Sequence, residues 1–190
     1  ADQELSAGSN EIGPLHGVPI TLKDHVIVKG MRTTLGLPQY WSYRPSKDCE
    51  LVARLRRAGA IILGRTNVPF GCYDWNCRNP IYPETVNPWN SSRTPGGSSG
   101  GAAVAIATGM TPLDMGSDLA GSIRLPSHCC GIFGLRTTDG LLPMNDVGPE
   151  DFPPSPSLLT VCGPMSRNVA DLHLMLSVLA PEQRKDTPPV

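Results

Sequence analysis

Gly116-Ser117-Asp118-Leu119-Ala120-Gly121-Ser122-Ile123-Arg124-Leu125-Pro126, read with Gly96-Gly97-Ser98-Ser99-Gly100-Gly101 upstream, is the stretch on which the fold turns. Each run carries a serine beside glycine, Ser98 and Ser122, where backbone without side chains can come close to a bound molecule. Between them, Ala102-Ala103-Val104-Ala105-Ile106-Ala107 reads as buried helix. A flexible linker drifts in polar composition. Polar turns that alternate with buried segments instead predict a rigid site.

Taken singly, these pieces have plainer readings. A glycine-serine run is usually a loop or a phosphate cradle, although this one lacks the lysine of a phosphate-binding loop. A lone serine such as Ser122 is a good helix N-cap. The order of the pieces is more specific than any one of them. Upstream, Gly17-Val18-Pro19-Ile20-Thr21-Leu22-Lys23-Asp24 puts a lysine at the end of an apolar extended run. Asn87-Pro88-Trp89-Asn90 and Arg93-Thr94-Pro95 precede the first glycine loop, and Cys130-Gly131-Ile132-Phe133-Gly134-Leu135 follows the second.

From about Gly13 to Leu179 the sequence resembles the amidase signature family, whose members hydrolyse amides with a Ser-Ser-Lys triad. The resemblance implies an α/β fold with a mixed β-sheet core flanked by helices, formed by residues 1–190 as one domain. It implies that Ser122 is the nucleophile, Ser98 the bridging serine after a cis Gly97–Ser98 peptide bond, and Lys23 the ultimate base. The backbone N–H groups of Leu119, Ala120, Gly121 and Ser122 are the expected oxyanion donors, leading into a helix that begins near Ser122. Gly97, Ser99, Ser117, Asp118 and Arg124 are expected to support the site, Ser117 through its hydroxyl. No metal and no cofactor are expected.

The chemistry suits these roles. A serine hydroxyl is a weak nucleophile until a neighbour takes its proton. A lysine can take it only when neutral, and burial pushes its pKa down toward that state. A second hydroxyl between lysine and nucleophile would pass the proton on while holding the geometry.

The glycine loop also satisfies the G-x-S-x-G nucleophile elbow, with Ser98 at its centre and His128 and His173 downstream as bases. That elbow has to follow a buried strand, whereas Asn90-Ser91-Ser92-Arg93-Thr94-Pro95 is polar and turn-like. His16 and His25, on either side of the lysine strand, read as surface or capping residues.

The chain has 190 residues, 39% hydrophobic content and a net charge of −1, enough for a globular core and without electrostatic reason to bind nucleic acid or an anionic membrane. No apolar run approaches the ~18–20 residues of a membrane span, and Ala1-Asp2-Gln3-Glu4 lacks the basic and apolar regions of a signal peptide. The six cysteines contain no C-x-x-C pair and no histidine at zinc spacing, so they read as reduced thiols of a cytoplasmic protein. A small-molecule amide is the expected partner, and a homodimer is compatible with the sequence.

The periodicity predicts a strand over Val18–Lys23, a helix over Cys49–Ala58 ended by Gly59, a short strand at Ile61-Ile62-Leu63, and helices over Gly100–Thr108 and Val169–Leu179. The proline-rich segment Pro143–Ser157 reads as a loop. Family members are considerably longer, so the sequence looks like the family's central segment. Ala120 stands where the family more often has glycine, Pro83 likewise, and Arg136-Thr137 where Lys-Pro is commoner. Two functions follow: hydrolysis of carboxylic amides, extending to esters, through an acyl-enzyme on Ser122; or an amidotransferase A-type subunit or weakly active fragment that needs a partner protein.

Overall fold

The computed structural model describes residues 12–144, 148–152 and 159–180. The start at Ala1 and most of the proline-rich segment lie outside the described residues; at 143–144 and 148–152 that segment forms neither helix nor strand. Five strands, β1 (Pro19–Lys23), β2 (Ile61–Thr66), β3 (Leu113–Asp118), β4 (Phe133–Gly134) and β5 (Val161–Ser166), make one sheet in the order β2-β1-β3-β5-β4. β1 runs parallel to β2 and β3, and β5 antiparallel to β3 and β4, so the sheet is mixed.

Parallel neighbours need long crossovers, and helices α1 (Glu50–Arg57) and α2 (Gly100–Ala107) lie in the β1–β2 and β2–β3 connections. With α4 (Val169–Leu179), α1 covers one face: Leu51, Val52, Leu55, Met175 and Leu179 pack with Ile20, Leu22, Leu113, Met115 and Cys162. On the other face α2 and α3 (Arg124–Cys130) bring Ala102, Ala103, Ile106, Ile123 and Cys130 against Met165 of β5. The α/β reading of the sequence holds.

Local chemistry accounts for the helix ends. Glu50 in the first turn of α1 and Arg54, Arg56 and Arg57 in its last match the helix dipole. Arg54 Nη1 also donates to the Leu179 carbonyl at 2.6 Å, joining α1 to the end of α4. Asn168 caps α4, accepting from the Asp171 amide at 2.8 Å. β2 extends past the expected Leu63 to Thr66, which is the Cα partner of Lys23. Among the described residues no helix is long and apolar enough to cross a membrane.

Candidate active site

Lys23 ends β1, the strand with parallel neighbours on both sides, at the carboxyl edge where open α/β sheets place their ligands. Its side chain is fully buried. Nζ donates to Ser98 Oγ at 2.6 Å, to Ser117 Oγ at 3.0 Å and to the Ser117 carbonyl at 3.4 Å. Loss of hydration lowers the Lys23 pKa, against smaller opposing pulls from Cys72, Cys162 and Cys77, when ionised, and from Asp118.

Ser98 sits just before α2, and the Gly97–Ser98 peptide bond is cis. A Cβ on Gly97 would lie 2.6 Å from the Asp74 carbonyl oxygen, so only glycine fits there. The two serine loops are tied through Ser99: its amide donates to the Ser122 carbonyl at 3.2 Å and its hydroxyl to the Ser117 carbonyl at 3.3 Å. Ser98, Ser117 and Ser122 line one cleft of about 820 Å³, with Leu119, Tyr73 and Phe152 on its walls.

Asp118, at the end of β3, organises the loop that carries Ser122. Its buried carboxylate accepts the amides of Gly121, Ile123 and Arg124 at 2.8, 3.0 and 3.2 Å, and the Arg124 side chain through Nε and Nη2 at 3.0 Å each. Arg136 Nε lies 3.7 Å away. Burial alone would raise this carboxyl, yet the donors from Arg124, Ile123 and Gly121 hold it down at about 2.

This corrects the expected oxyanion set. The Gly121 amide, in a residue at φ 102°, is directed at Asp118 and is not free, whereas among the described residues the amides of Leu119, Ala120 and Ser122 have no partner. The helix begins at Arg124, two residues past Ser122, and the amides of Ile123 and Arg124 leading into it also turn to Asp118.

The elbow reading is overturned. No strand runs directly into Ser98, His128 and His173 are exposed on helices α3 and α4, and Ser98 is hydrogen-bonded to Lys23. His25 is neither surface nor cap: it is buried in the cleft wall with no hydrogen bond to either ring nitrogen among the described residues. Burial first, then Lys23 and Arg65, push its pKa well below the usual range, so its ring is neutral.

Other supporting residues gave little sign of their place in the sequence. Arg136 balances Asp118 and donates to the Leu159 carbonyl at 2.8 Å, while Thr137 donates to the Cys162 carbonyl at 2.7 Å; the Arg136-Thr137 pair thus anchors the chain after β4. Asn87 and Trp89 of the Asn-Pro-Trp-Asn segment hold the end of α3, donating to the carbonyls of Cys129 at 2.9 Å and Cys130 at 2.7 Å. All six cysteines are free thiols. Among the described residues no histidine, cysteine and carboxylate group is arranged to hold a metal ion.

The chain belongs to the amidase family: the Amidase family model matches residues 1–190. The chain is 38% identical over 187 residues to an indoleacetamide hydrolase of Bradyrhizobium diazoefficiens, covering 98% of this chain and 36% of that protein. It is 39% identical over 186 residues to the A-type subunit of a glutamyl-tRNA(Gln) amidotransferase of Cyanothece sp., covering 98% and 37%. The solved structure of the native peptide amidase of Stenotrophomonas maltophilia superposes with a TM-score of 0.84 at 34% identity, covering 97% of this chain and 38% of that one. The chain therefore spans little more than a third of the length of these relatives.

Proposed function

We propose that this chain carries the catalytic centre of an amidase that hydrolyses carboxylic amides, and activated esters, through an acyl-enzyme on Ser122. The single observation that carries the reading is the fully buried Lys23, hydrogen-bonded to Ser98 in the cleft that also holds Ser122. As Ser122 Oγ attacks the substrate carbonyl, its proton passes to Ser98 Oγ while Ser98 gives its own to neutral Lys23 Nζ. The amides of Leu119, Ala120 and Ser122 receive the developing oxyanion, and such donors are each worth a few kcal/mol to the transition state. The Lys23 ammonium then returns its proton through Ser98 to the leaving amine, and water repeats the sequence on the acyl-enzyme. Ser117, bonded to Lys23, keeps the amine aimed at Ser98.

The cleft lining mixes Tyr43, Tyr73, Phe152 and Leu142 with Lys47, Asp139 and Glu150; its aromatic part suits an acyl or aryl amide, and the six free cysteines suit the reducing cytoplasm. The likeness to an amidotransferase component supports a second reading, in which ammonia attacks the acyl group and a partner protein supplies it. Assays of small aliphatic and aryl carboxamides, with and without ammonia as acceptor, separate the two. In the hydrolytic reading Ser122→Ala lowers turnover by about a thousandfold or more, and kcat/KM rises with pH through an ionisation that is absent in Lys23→Ala. Full hydrolysis by Ser122→Ala would discard the reading.

A further inference from the structure

Beneath Lys23 lies a second ionisable group that the reaction above does not use. Asp114 of β3 is wholly buried. Thr21 on β1 donates to its Oδ2 at 2.6 Å, and Thr66 on β2 donates to the same oxygen at 3.0 Å. Since β1 lies between β3 and β2 in the sheet, an oxygen carried on β3 that takes hydroxyls from both β1 and β2 sits over β1 itself. Thr21 is the Cα partner of Asp114, and Thr66 that of Lys23. Side chains at 21 and 23 share a sheet face. The carboxylate therefore lies at the foot of the Lys23 side chain, whose Nζ extends onward to Ser98 and Ser117.

The other buried charges here are paired. Asp24 meets Arg65 at 3.6 Å, and Asp118 holds Arg124 at 3.0 Å and Arg136 at 3.7 Å. Among the described residues neither Lys23 nor Asp114 has a salt-bridge partner, and Asp114 Oδ1 has no hydrogen bond. The surroundings offer little other charge. Helix α2, packed over β1, β2 and β3, has only glycine, alanine, valine and isoleucine. Cys72 and Cys162 are pushed up to about 11 and about 12 by burial, Cys77 is raised for the same reason, and His25 is neutral, so none of the four is charged near neutral pH. Arg65, which pairs with Asp24 and also acts on Asp114, and Asp118, which pairs with Arg124, are the remaining charged neighbours.

We propose that Asp114 is a positioning residue for the base: its buried carboxylate is the counter-charge against which Lys23 gains and loses its proton, so the two titrate as one coupled pair. The proposal rests on the reading of Lys23 as base. Burial raises the Asp114 carboxyl to about 6 against its threonine donors, Arg65 and Lys23, and burial lowers Lys23, which brings the two titrations closer together than in water, while attraction between the charged forms opposes both displacements. An ionised Asp114 favours the ammonium and so delays the pH at which the base becomes free. Removing that charge has the opposite effect.

Asp114→Asn keeps the shape and an acceptor for Thr21 and Thr66. Its acid limb of kcat/KM should move to lower pH by about one unit, close to a tenfold gain in rate on the limb. A purely structural role would lower the plateau and leave the midpoint in place, and an unmoved midpoint overturns the proposal. If the variant fails to fold, carboxyl 13C NMR of Asp114 reads the coupling directly: its titration midpoint should rise by about one unit in Lys23→Met, where the neighbouring positive charge is gone. An unchanged midpoint there also overturns it. Failure of the base reading gives a different result, an acid limb of residual hydrolysis that persists in Lys23→Met whatever the NMR midpoint does.

Discussion

Neutralising Asp118 tests whether one carboxylate shapes the nucleophile loop. In Asp118→Asn the three amides of Gly121, Ile123 and Arg124 and both arms of Arg124 lose an anionic acceptor, and the new amide group points donors at donors. The carboxyl titrates at about 2 in the fold against 3.8 as a free side chain, a gap worth about 2 kcal/mol at roughly 1.4 kcal/mol per pKa unit. For a domain of this size that is about 4–8 °C in Tm. Because the folded pKa is depressed, the contribution is fully present above the unfolded pKa and is lost as pH falls from about 4 to about 2. Thermal melts of the two proteins at pH 7 should therefore differ by that amount, and the difference should narrow below about pH 4 and close as pH falls through about 2. The loop should loosen as well, slowing acylation of Ser122 even below the melt. Equal Tm values at pH 7, or a gap that stays constant into acid, would refute the reasoning.

Gly97→Ala should be destabilised by more than about 2 kcal/mol or fail to fold, because its Cβ would meet the Asp74 carbonyl oxygen at 2.6 Å and backbone cannot swing aside as a side chain can; a urea melt reads this. His128→Ala and His173→Ala should retain amide hydrolysis within about twofold, both rings being exposed on helices; loss of turnover in either would reopen the histidine-dependent mechanism.

The helices were legible where sequence periodicity and burial coincide. Leu51, Val52 and Leu55 mark the inner side of α1, and Asn168 with Asp171 signals the start of α4. β3 was not legible. Leu-Asp-Met-Gly-Ser-Asp has two acids and no β-branched residue, yet all six positions are buried. Its acids are tolerable only because donors meet them, Thr21 and Thr66 from distant strands for Asp114 and the adjoining Gly121–Arg124 loop for Asp118. β5 hides behind the Gly163-Pro164 pair of Val-Cys-Gly-Pro-Met-Ser, residues that ordinarily argue against a central strand.

At the site, Lys23, Ser98 and Ser122 each lie in a local motif; the structure bonds Lys23 to Ser98 and brings Ser98 and Ser122 to one cleft. The burial of His25 and the approach of Arg136 to Asp118 depend on packing between separate segments that no local pattern encodes, whereas the diversion of the Gly121 amide to Asp118 is a three-residue turn within the nucleophile loop itself.

Covalent labelling with a fluorophosphonate, followed by peptide mapping, tests the central claim most directly. The phosphoryl oxygen needs the same amide donors as an acyl oxyanion, so the reagent reports on nucleophile, relay and donors without a known substrate. The account predicts modification of Ser122 ahead of Ser98, Ser99 and Ser117, slowed by about a hundredfold or more in Lys23→Ala and in Ser98→Ala. A label on another serine, or equal rates in the three proteins, would contradict it.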